Sequence, residues 1–475
     1  MSDSTLHQLS RIAALAAPLS EEFSRAGFEL YAVGGSVRDA LLGLHEVEEI
    51  DFTTNARPDD IERLMAKVCG ALWVQGREFG TIGGVLRANG IRAEVTTFRS
   101  EEYVDHSRKP AVQWGDSLRA DLSRRDFTIN AIALDVISIH EGREGVQTLF
   151  DFFGGVKDLM EQRLVTPVDA TILFRDDPLR MLRAARFAAR FGLRIDPAVE
   201  EAATSLAEKI TIVSTERVRA ELDLLMVSAQ PSVGLDFIVR TGLAAYFLPE
   251  LPALQLEQDP IHRHKDVLAH TWAVVDKTTA DLTLRLAALF HDVGKPATRQ
   301  ITPAGVTFRF HEVVGAKMTR KRMTALKYPT QVIEDVSRLV ELHLRFHTYK
   351  LGWSDSAVRR YVHDAGPLLE HLNELTRCDC TTRNQRKAVE LAQRMDQLEE
   401  RILDLRRRED LDNMRPALNG DEVMELLSIP PSRDVKRALE FLLDIRREEG
   451  EISKAEATHR LREWWNDNAP PRPEA

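Results

Sequence analysis

The 475-residue sequence sets 64 Lys and Arg against 74 Asp and Glu, for a net charge of −10, and is 43% hydrophobic; at roughly 100–200 residues per domain this suggests about three domains. An acidic total argues against a uniformly basic nucleic-acid binder but leaves room for a local basic strip. Three cysteines, Cys69, Cys378 and Cys380, imply no disulfide framework and fit a reducing cytoplasm, and no run of about 18 apolar residues is there to span a membrane.

Residues 3–26 read as one amphipathic N-terminal helix, its charges at Asp3, Arg11, Glu21 and Glu22 setting it apart from a signal peptide. Residues 30–33 form a short apolar run that predicts a buried strand. Gly34 and Gly35 then allow a tight turn and close backbone approach to a ligand. Ser36 is placed to cap the following helix, and free N–H groups at such a turn suit phosphate. The chain returns with Glu49-Ile50-Asp51-Phe52, where strand alternation puts both carboxylates on one face. Paired carboxylates beside a phosphate turn suit Mg²⁺. Together they point to nucleotidyl transfer more strongly than a solvated acidic strand beside an ordinary turn does.

ARPDDIERLMAKV, with Pro58 near its start, predicts a helix. ALWVQG, GTIGGVLRANG and IRAEVTTFR predict short strands between glycine turns. Glu94 shares a face with Thr96, and is either a third carboxylate near the metal or a surface residue. Residues 100–120 are polar and read as a long irregular loop. In Arg124-Arg125-Asp126-Phe127-Thr128-Ile129-Asn130-Ala131, a carboxylate can accept from ribose hydroxyls and an arginine can hold triphosphate oxygens as a planar fork; the alternative is a charged helix start before INAIAL. Paired glycines in residues 151–159 suggest a hinge.

Residues 174–194 predict a strong helix, capped by Asp176 or Asp177, with Pro178 in its first turn. Leu179, Leu182, Ala185 and Ala189 form an apolar stripe; Arg180, Arg183, Arg186 and Arg190 form a basic one. Asp177 and Arg180, three apart, face the same way. They offer an acceptor and several donors, which match the edges of cytosine and adenine and not those of uracil and guanine; otherwise Asp177 is only a cap. Farther on, His270, His291-Asp292, His311, His343 and Asp379 make a plausible mononuclear or dinuclear metal set. Cys378-x-Cys380 has no second Cys/His pair at finger spacing and reads as non-metal. LHLRFHTYK and KMTRKRMTALK are either RNA-phosphate contacts or solvated faces. From about residue 382 the chain reads as charged helix with a seam of Leu391, Met395, Leu398 and Leu405, and NDNAPPRPEA as a frayed end.

GGSVRD followed by a carboxylate-x-Asp strand resembles the head of class II tRNA nucleotidyltransferases and poly(A) polymerases. The stretch from Arg124 to Ala131 looks like the family's RRDFT-x-NA motif. Asp176-Asp177-x-x-Arg180 is similar to its Glu-Asp-x-x-Arg template, and Thr215-Glu216-Arg217-Val218-x-x-Glu221-Leu222 to a neck-helix motif. HDVGKP and HEVVGA resemble the HD phosphohydrolase superfamily. Three departures stand out: Glu49 where the family has aspartate, Asp176 where it has glutamate, and Ile429-Pro430-Pro431-Ser432 where it has a Pro-Gly-Pro-like turn.

The resemblance implies an α/β head of small mixed sheet and helices (residues 1–165), an all-α neck (166–250), an HD domain (251–385) and a helical tail (386–475). It implies addition of C, C and A to tRNA 3′ ends from CTP and ATP. Glu49, Asp51 and Glu94 would then be catalytic, with Glu49 and Asp51 holding Mg²⁺. Gly34, Gly35, Ser36, Arg38, Arg125, Asp126, Asn130, Asp177, Arg180, Arg183 and Arg186 would bind nucleotide. His270, His291, Asp292, His311, His343 and Asp379 would hold an unidentified divalent metal. The rival readings are a poly(A) polymerase, disfavoured by the strand expected at GREFGTI, an A-adding enzyme, and an HD phosphohydrolase whose head only binds RNA.

Overall fold

The computed structural model describes residues 3–44, 47–101, 112–115, 117–143, 145–255, 266–302, 305–348, 353–380, 385–409 and 414–469. It divides into two units, Met1–Tyr246 and Phe247–Ala475. The last six residues of the end read as frayed lie outside the described residues.

In the first unit the strands are β1 (Tyr31–Val33), β2 (Glu49–Thr54), β3 (Cys69–Trp73), β4 (Thr81–Leu86), β5 (Arg92–Thr97), β6 (Arg99–Glu101), β7 (Val112–Trp114), β8 (Ala133–Asp135) and β9 (Leu149–Phe150), with a separate short parallel pair, β10 (Arg163–Leu164) and β11 (Arg194–Ile195), the latter in the neck expected to be all-α. Seven of them form one sheet in the order β3-β4-β5-β2-β1-β8-β9. β2 and β5 run parallel while the other neighbours are antiparallel, so the sheet is mixed as expected. Alternation in β2 sends Ile50 and Phe52 into the core and leaves Glu49 and Asp51 on the open face. The core behind β2 also holds Ile12, Leu19, Phe23, Val37 and Val95.

The N-terminal segment is two helices, Asp3–Leu15 and Ala17–Arg25, rather than one. Pro18 has no N–H to continue the ladder, and it starts a new first turn instead. GREFGTI is not a continuous strand: Arg77–Phe79 is a 3-10 turn, and β4 begins at Thr81. Within residues 100–120, β6 and β7 pair antiparallel, with Arg99 opposite Trp114. The residues between the two strands lie outside the described ones. INAIAL enters a 3-10 turn, Thr128–Asn130, and then β8.

The helix expected over 174–194 is also two, Ala170–Asp176 and Leu179–Phe191. Pro178 disfavours the helical region for the residue before it, and Asp177 is extended there (φ −139°, ψ 99°). Its carboxylate accepts from the Leu179 N–H at 3.1 Å. Thr215–Met226 and Pro231–Arg240 complete the packing around this helix.

Among the described residues the second unit is helical apart from a hairpin, Gln300–Thr302 with Gly305–Thr307. Val267–Lys277 and Leu282–Phe290 are capped by the carboxylates of Asp266 and Asp281. His311–Ala325 and Thr330–Leu342 pack side by side. In Gln385–Arg408, Met395, Leu398 and Leu405 are buried along the expected seam. Three C-terminal helices share a core of Val423, Ala438, Leu442, Ala457 and Leu461.

Gly294 follows His291-Asp292. A Cβ there would lie 2.1 Å from the His311 carbonyl oxygen and 2.7 Å from the Gly315 nitrogen. Backbone therefore packs on backbone, and this contact brings His311 to the His291-Asp292 corner. Gly294→Ala is expected to displace the His311–Ala325 helix and to cost about 1–3 kcal/mol, as overpacking does. A urea unfolding midpoint equal to wild type would contradict this.

Candidate active site

The parallel pairing of β2 with β5 sets Asp51 opposite Glu94. One carboxylate oxygen from each of Glu49, Asp51 and Glu94 lies within 4.8 Å of the others. Desolvation at the base of the cleft pushes Asp51 up to about 6; Arg125 opposes this, and the neighbouring Glu49 and Glu94 reinforce it. Three like charges so close suit a hard divalent cation with oxygen ligands. Gly34, at φ +73°, is what the turn requires. A side chain there would meet Arg125 at 3.3 Å and the Asp51 carboxylate at 3.4 Å, so the bare turn lets these two groups come together. The helix starts at Gly35, two residues earlier than a Ser36 cap requires, and the Ser36 hydroxyl turns back to the Val33 carbonyl at 3.4 Å.

Arg125 also lines a cavity of about 330 Å³, with Asp126, Asp177, Arg180 and Arg183. Asp177 accepts from Arg217 at 2.7 Å. Arg180 donates to the carbonyls of Leu173 (3.2 Å) and Arg124 (2.7 Å). Each partner of the expected template pair is thus held by a group other than its mate. Burial pushes Asp126 up, but Arg183 and the Asn130 amide outweigh it and hold the carboxyl below its usual range. Arg38, Asn130 and Arg186 are buried, among charged and amide partners, rather than on the cavity wall. Arg186 donates to Glu221 at 2.6 Å.

Sequence reasoning missed Arg99, Asp121, Arg124 and Arg217 as cavity residues. Asp121 is buried; it accepts from Thr53 at 3.1 Å and stands 3.6 Å from Arg125. Its signal was the i, i+4 spacing to Arg125. The signal for Arg217 was the neck-helix motif, read as structural only.

In the second unit the expected ligands converge. His270 Nε2 lies 2.9 Å from Asp379 and 3.2 Å from His291 Nε2. His291, His311 and His343 each set Nδ1 at 2.6–2.8 Å from the carbonyl three residues back. With Nδ1–H as donor, each Nε2 keeps its lone pair for a metal. Nε2 of His311 and of His343 is buried without a hydrogen-bond partner. Candidate ligand triads are His270-His291-Asp292 and Asp292-His311-His343, which share Asp292. Burial and the nearby His291 push His343 down to about 3, which keeps it neutral. Burial raises Asp292, but His291, His311 and Lys295 outweigh it and hold the carboxyl well below its usual range. Among the described residues no cysteine joins a candidate metal group.

Three family models match the chain: "Poly A polymerase head domain" over residues 30–165, "Probable RNA and SrmB- binding site of polymerase A" over 192–254, and "HD domain" over 267–406. A CC-adding tRNA nucleotidyltransferase of Thermus thermophilus is 31% identical over 453 residues, covering 92% of this chain and 94% of that protein. The chain belongs to the tRNA nucleotidyltransferase and poly(A) polymerase family. A CCA-adding enzyme of Lacticaseibacillus paracasei is 36% identical over 265 residues, 55% of this chain and 62% of the relative. One of Bacillus licheniformis is 37% identical over 247 residues, 52% and 57% respectively. The chain thus spans somewhat more than half the length of these two relatives. The fold matches that of the Bacillus stearothermophilus CCA-adding enzyme in complex with CTP, with a TM-score of 0.70 and 24% identity over 98% of this chain and 99% of that one.

Within this nucleotidyltransferase chain the head offers carboxylate oxygens and the HD unit imidazole nitrogens, so the two clusters suit different cations. Asp292→Ala removes the ligand shared by both histidine triads. It is expected to lower the affinity of the full chain for Mn²⁺ or Zn²⁺ by about 100-fold or more, beyond what loss of a supporting group costs. Wild-type affinity at that site in metal titrations would contradict the assignment.

Proposed function

We propose that the chain is a CCA-adding tRNA nucleotidyltransferase that transfers CMP, CMP and AMP from CTP and ATP to tRNA 3′ ends and releases pyrophosphate. The observation that carries the reading is the continuity of its two halves: the Glu49-Asp51-Glu94 cluster meets Arg125 at the Gly34 turn, and Arg125 lines the same cavity as Asp177 and Arg180. Cytosine and adenine each present an exocyclic amino donor to the Asp177 carboxylate and ring acceptors to the Arg180 fork. Uracil and guanine present a carbonyl oxygen where the carboxylate needs a donor. Arg124, Arg125 and Arg217 supply positive charge for the triphosphate.

The tRNA 3′-hydroxyl oxygen bonds to the α-phosphorus in line as the bond to the bridging oxygen of pyrophosphate breaks. Mg²⁺ is the proposed ion of the head; when bound it supplies charge neutralisation for the attacking and leaving oxygens. Glu49, Asp51 and Glu94 would hold it, with Glu49 folding back to the place an aspartate would reach. The HD histidines and aspartates would hold a second divalent metal of unassigned identity. Head, neck, HD domain and tail are proposed to divide near residues 165, 250 and 385, and the protein to work in the cytoplasm; no helix among the described residues is long and apolar enough to cross a membrane.

Support comes also from CCA-adding enzymes of the same fold solved in complex with CTP, ATP and tRNA. A second reading is CC addition that stops before A, because the Thermus thermophilus relative named for it spans 94% of its own length in the alignment. Incubation of a tRNA lacking CCA with CTP alone, ATP alone and both separates these. The expected products are two added C residues with CTP, none with ATP, and CCA with both. A product ending at CC with both nucleotides would establish the second reading, and unbounded A tails on unrelated RNA a poly(A) polymerase.

Glu49→Ala is expected to lower turnover about 10²-fold or more, as loss of a key electrostatic group does, while Glu49→Asp keeps substantial activity. Wild-type turnover of Glu49→Ala across a magnesium titration would show that Glu49 is not a ligand.

A further inference from the structure

Arg38 of GGSVRD is 4% exposed. Its guanidinium pairs with Asp39 at 2.7 Å and stands over the rings of Phe191 (4.5 Å) and Phe187 (5.3 Å) on the Leu179–Phe191 helix. Its remaining arm donates to Asn130 Oδ1 at 2.6 Å, and Asn130 Nδ2 donates to Asp126 Oδ1 at 2.9 Å. The orientation of that amide is fixed by chemistry: arginine only donates and a carboxylate only accepts. Asp126 Oδ1 also accepts the Phe127 N–H at 2.8 Å. Asp126 Oδ2 accepts from Arg183 Nε at 2.8 Å and from a second Arg183 nitrogen at 2.7 Å.

The two oxygens of Asp126 are therefore fully engaged but not equally held. Oδ1 is bound by a backbone N–H and by an amide that Arg38 locks. Oδ2 is bound only by Arg183, which also reaches Glu221 at 3.4 Å and so keeps a partner when one N–H gives way. Resting on the proposed nucleotidyl transfer, we infer that Arg38 is a positioning residue for ribose selection. Through Asn130 it fixes one oxygen of Asp126, so that the other is the one a ribose hydroxyl reaches in exchange for an Arg183 N–H. A 2′-hydroxyl replaces the lost donor. A deoxyribose leaves the exchange uncompensated, which is how the site would reject it.

The test uses the full chain, a tRNA lacking CCA, and kcat and KM for CTP and dCTP with wild type, Arg38→Met, Asn130→Ala and the double variant. The expected result is a fall of about tenfold or more in the CTP/dCTP ratio of kcat/KM for each single variant. The double variant should be no worse than either, because both act on the same oxygen. An unchanged ratio with a lowered unfolding midpoint would make Arg38 merely structural. An equal loss for CTP and dCTP would make it a phosphate ligand. Either result overturns the inference. Asn130→Ala leaves the Arg38–Asp39 pair and the aromatic contacts in place, so it carries the test if Arg38→Met does not fold. A wild type that adds no CMP overturns the transfer reading and this inference with it; a wild type that selects CTP beside variants that select equally well overturns the inference alone.

Discussion

Three carboxylates forced together by the parallel pairing of β2 and β5 are the constraint on which the head depends. The register leaves no freedom: Asp51 faces Glu94, Glu49 is two residues away on the same side, and Ile50 and Phe52 pin the strand from behind. Like charges at this spacing repel, and the structure meets the repulsion from one side with Arg125. Arg125 in turn is backed by Asp121, and it reaches the cluster because the turn beside it has no side chain at Gly34. The same arginine belongs to the cavity wall, so one group takes part in both the charge balance at the carboxylates and the lining of the cavity.

Around the cavity, paired charges tie Asp126 to the neck and the neck helices to one another. Asp126 is tied to Arg183, Arg183 and Arg186 to Glu221, and Asp177 to Arg217. Where the pair is buried, as for Arg186 and Glu221, removing one member leaves its mate uncompensated and the tie is rigid; the Asp177–Arg217 pair is largely exposed and holds less firmly. The HD unit solves a different problem. His291, His311 and His343 are each fixed by a hydrogen bond to the carbonyl three residues back, so that imidazole nitrogens converge with the Asp292 carboxylate. One chain thus carries a carboxylate cluster and a histidine-rich cluster, suited to different cations, each in its own unit.

The mixed sheet, the helical neck and the HD unit were legible because their signals are local. Alternation in Glu49-Ile50-Asp51-Phe52 and the proline start of the helix at Pro58 need no knowledge of distant partners. What was not legible depends on them. Arg38 and Arg186 were expected to bind nucleotide, but they are buried and paired with Asn130, 92 residues on, and Glu221, 35 residues on. Prolines at 18 and 178 each cut a helix whose apolar periodicity runs through them, since periodicity records which face is buried and not whether the ladder is continuous. GREFG resembles a strand in composition, yet its glycines close a 3-10 turn.

The central claim is that the three carboxylates hold a catalytic divalent cation next to the nucleotide cavity. Anomalous diffraction from crystals of the full chain soaked with Mn²⁺ and CTP tests it most directly. The account predicts an anomalous peak bounded by Glu49, Asp51 and Glu94, with the triphosphate of CTP beside Arg125 and its base at Asp177 and Arg180. CTP bound in that cavity with manganese only at the HD histidines, or CTP bound elsewhere, would contradict it.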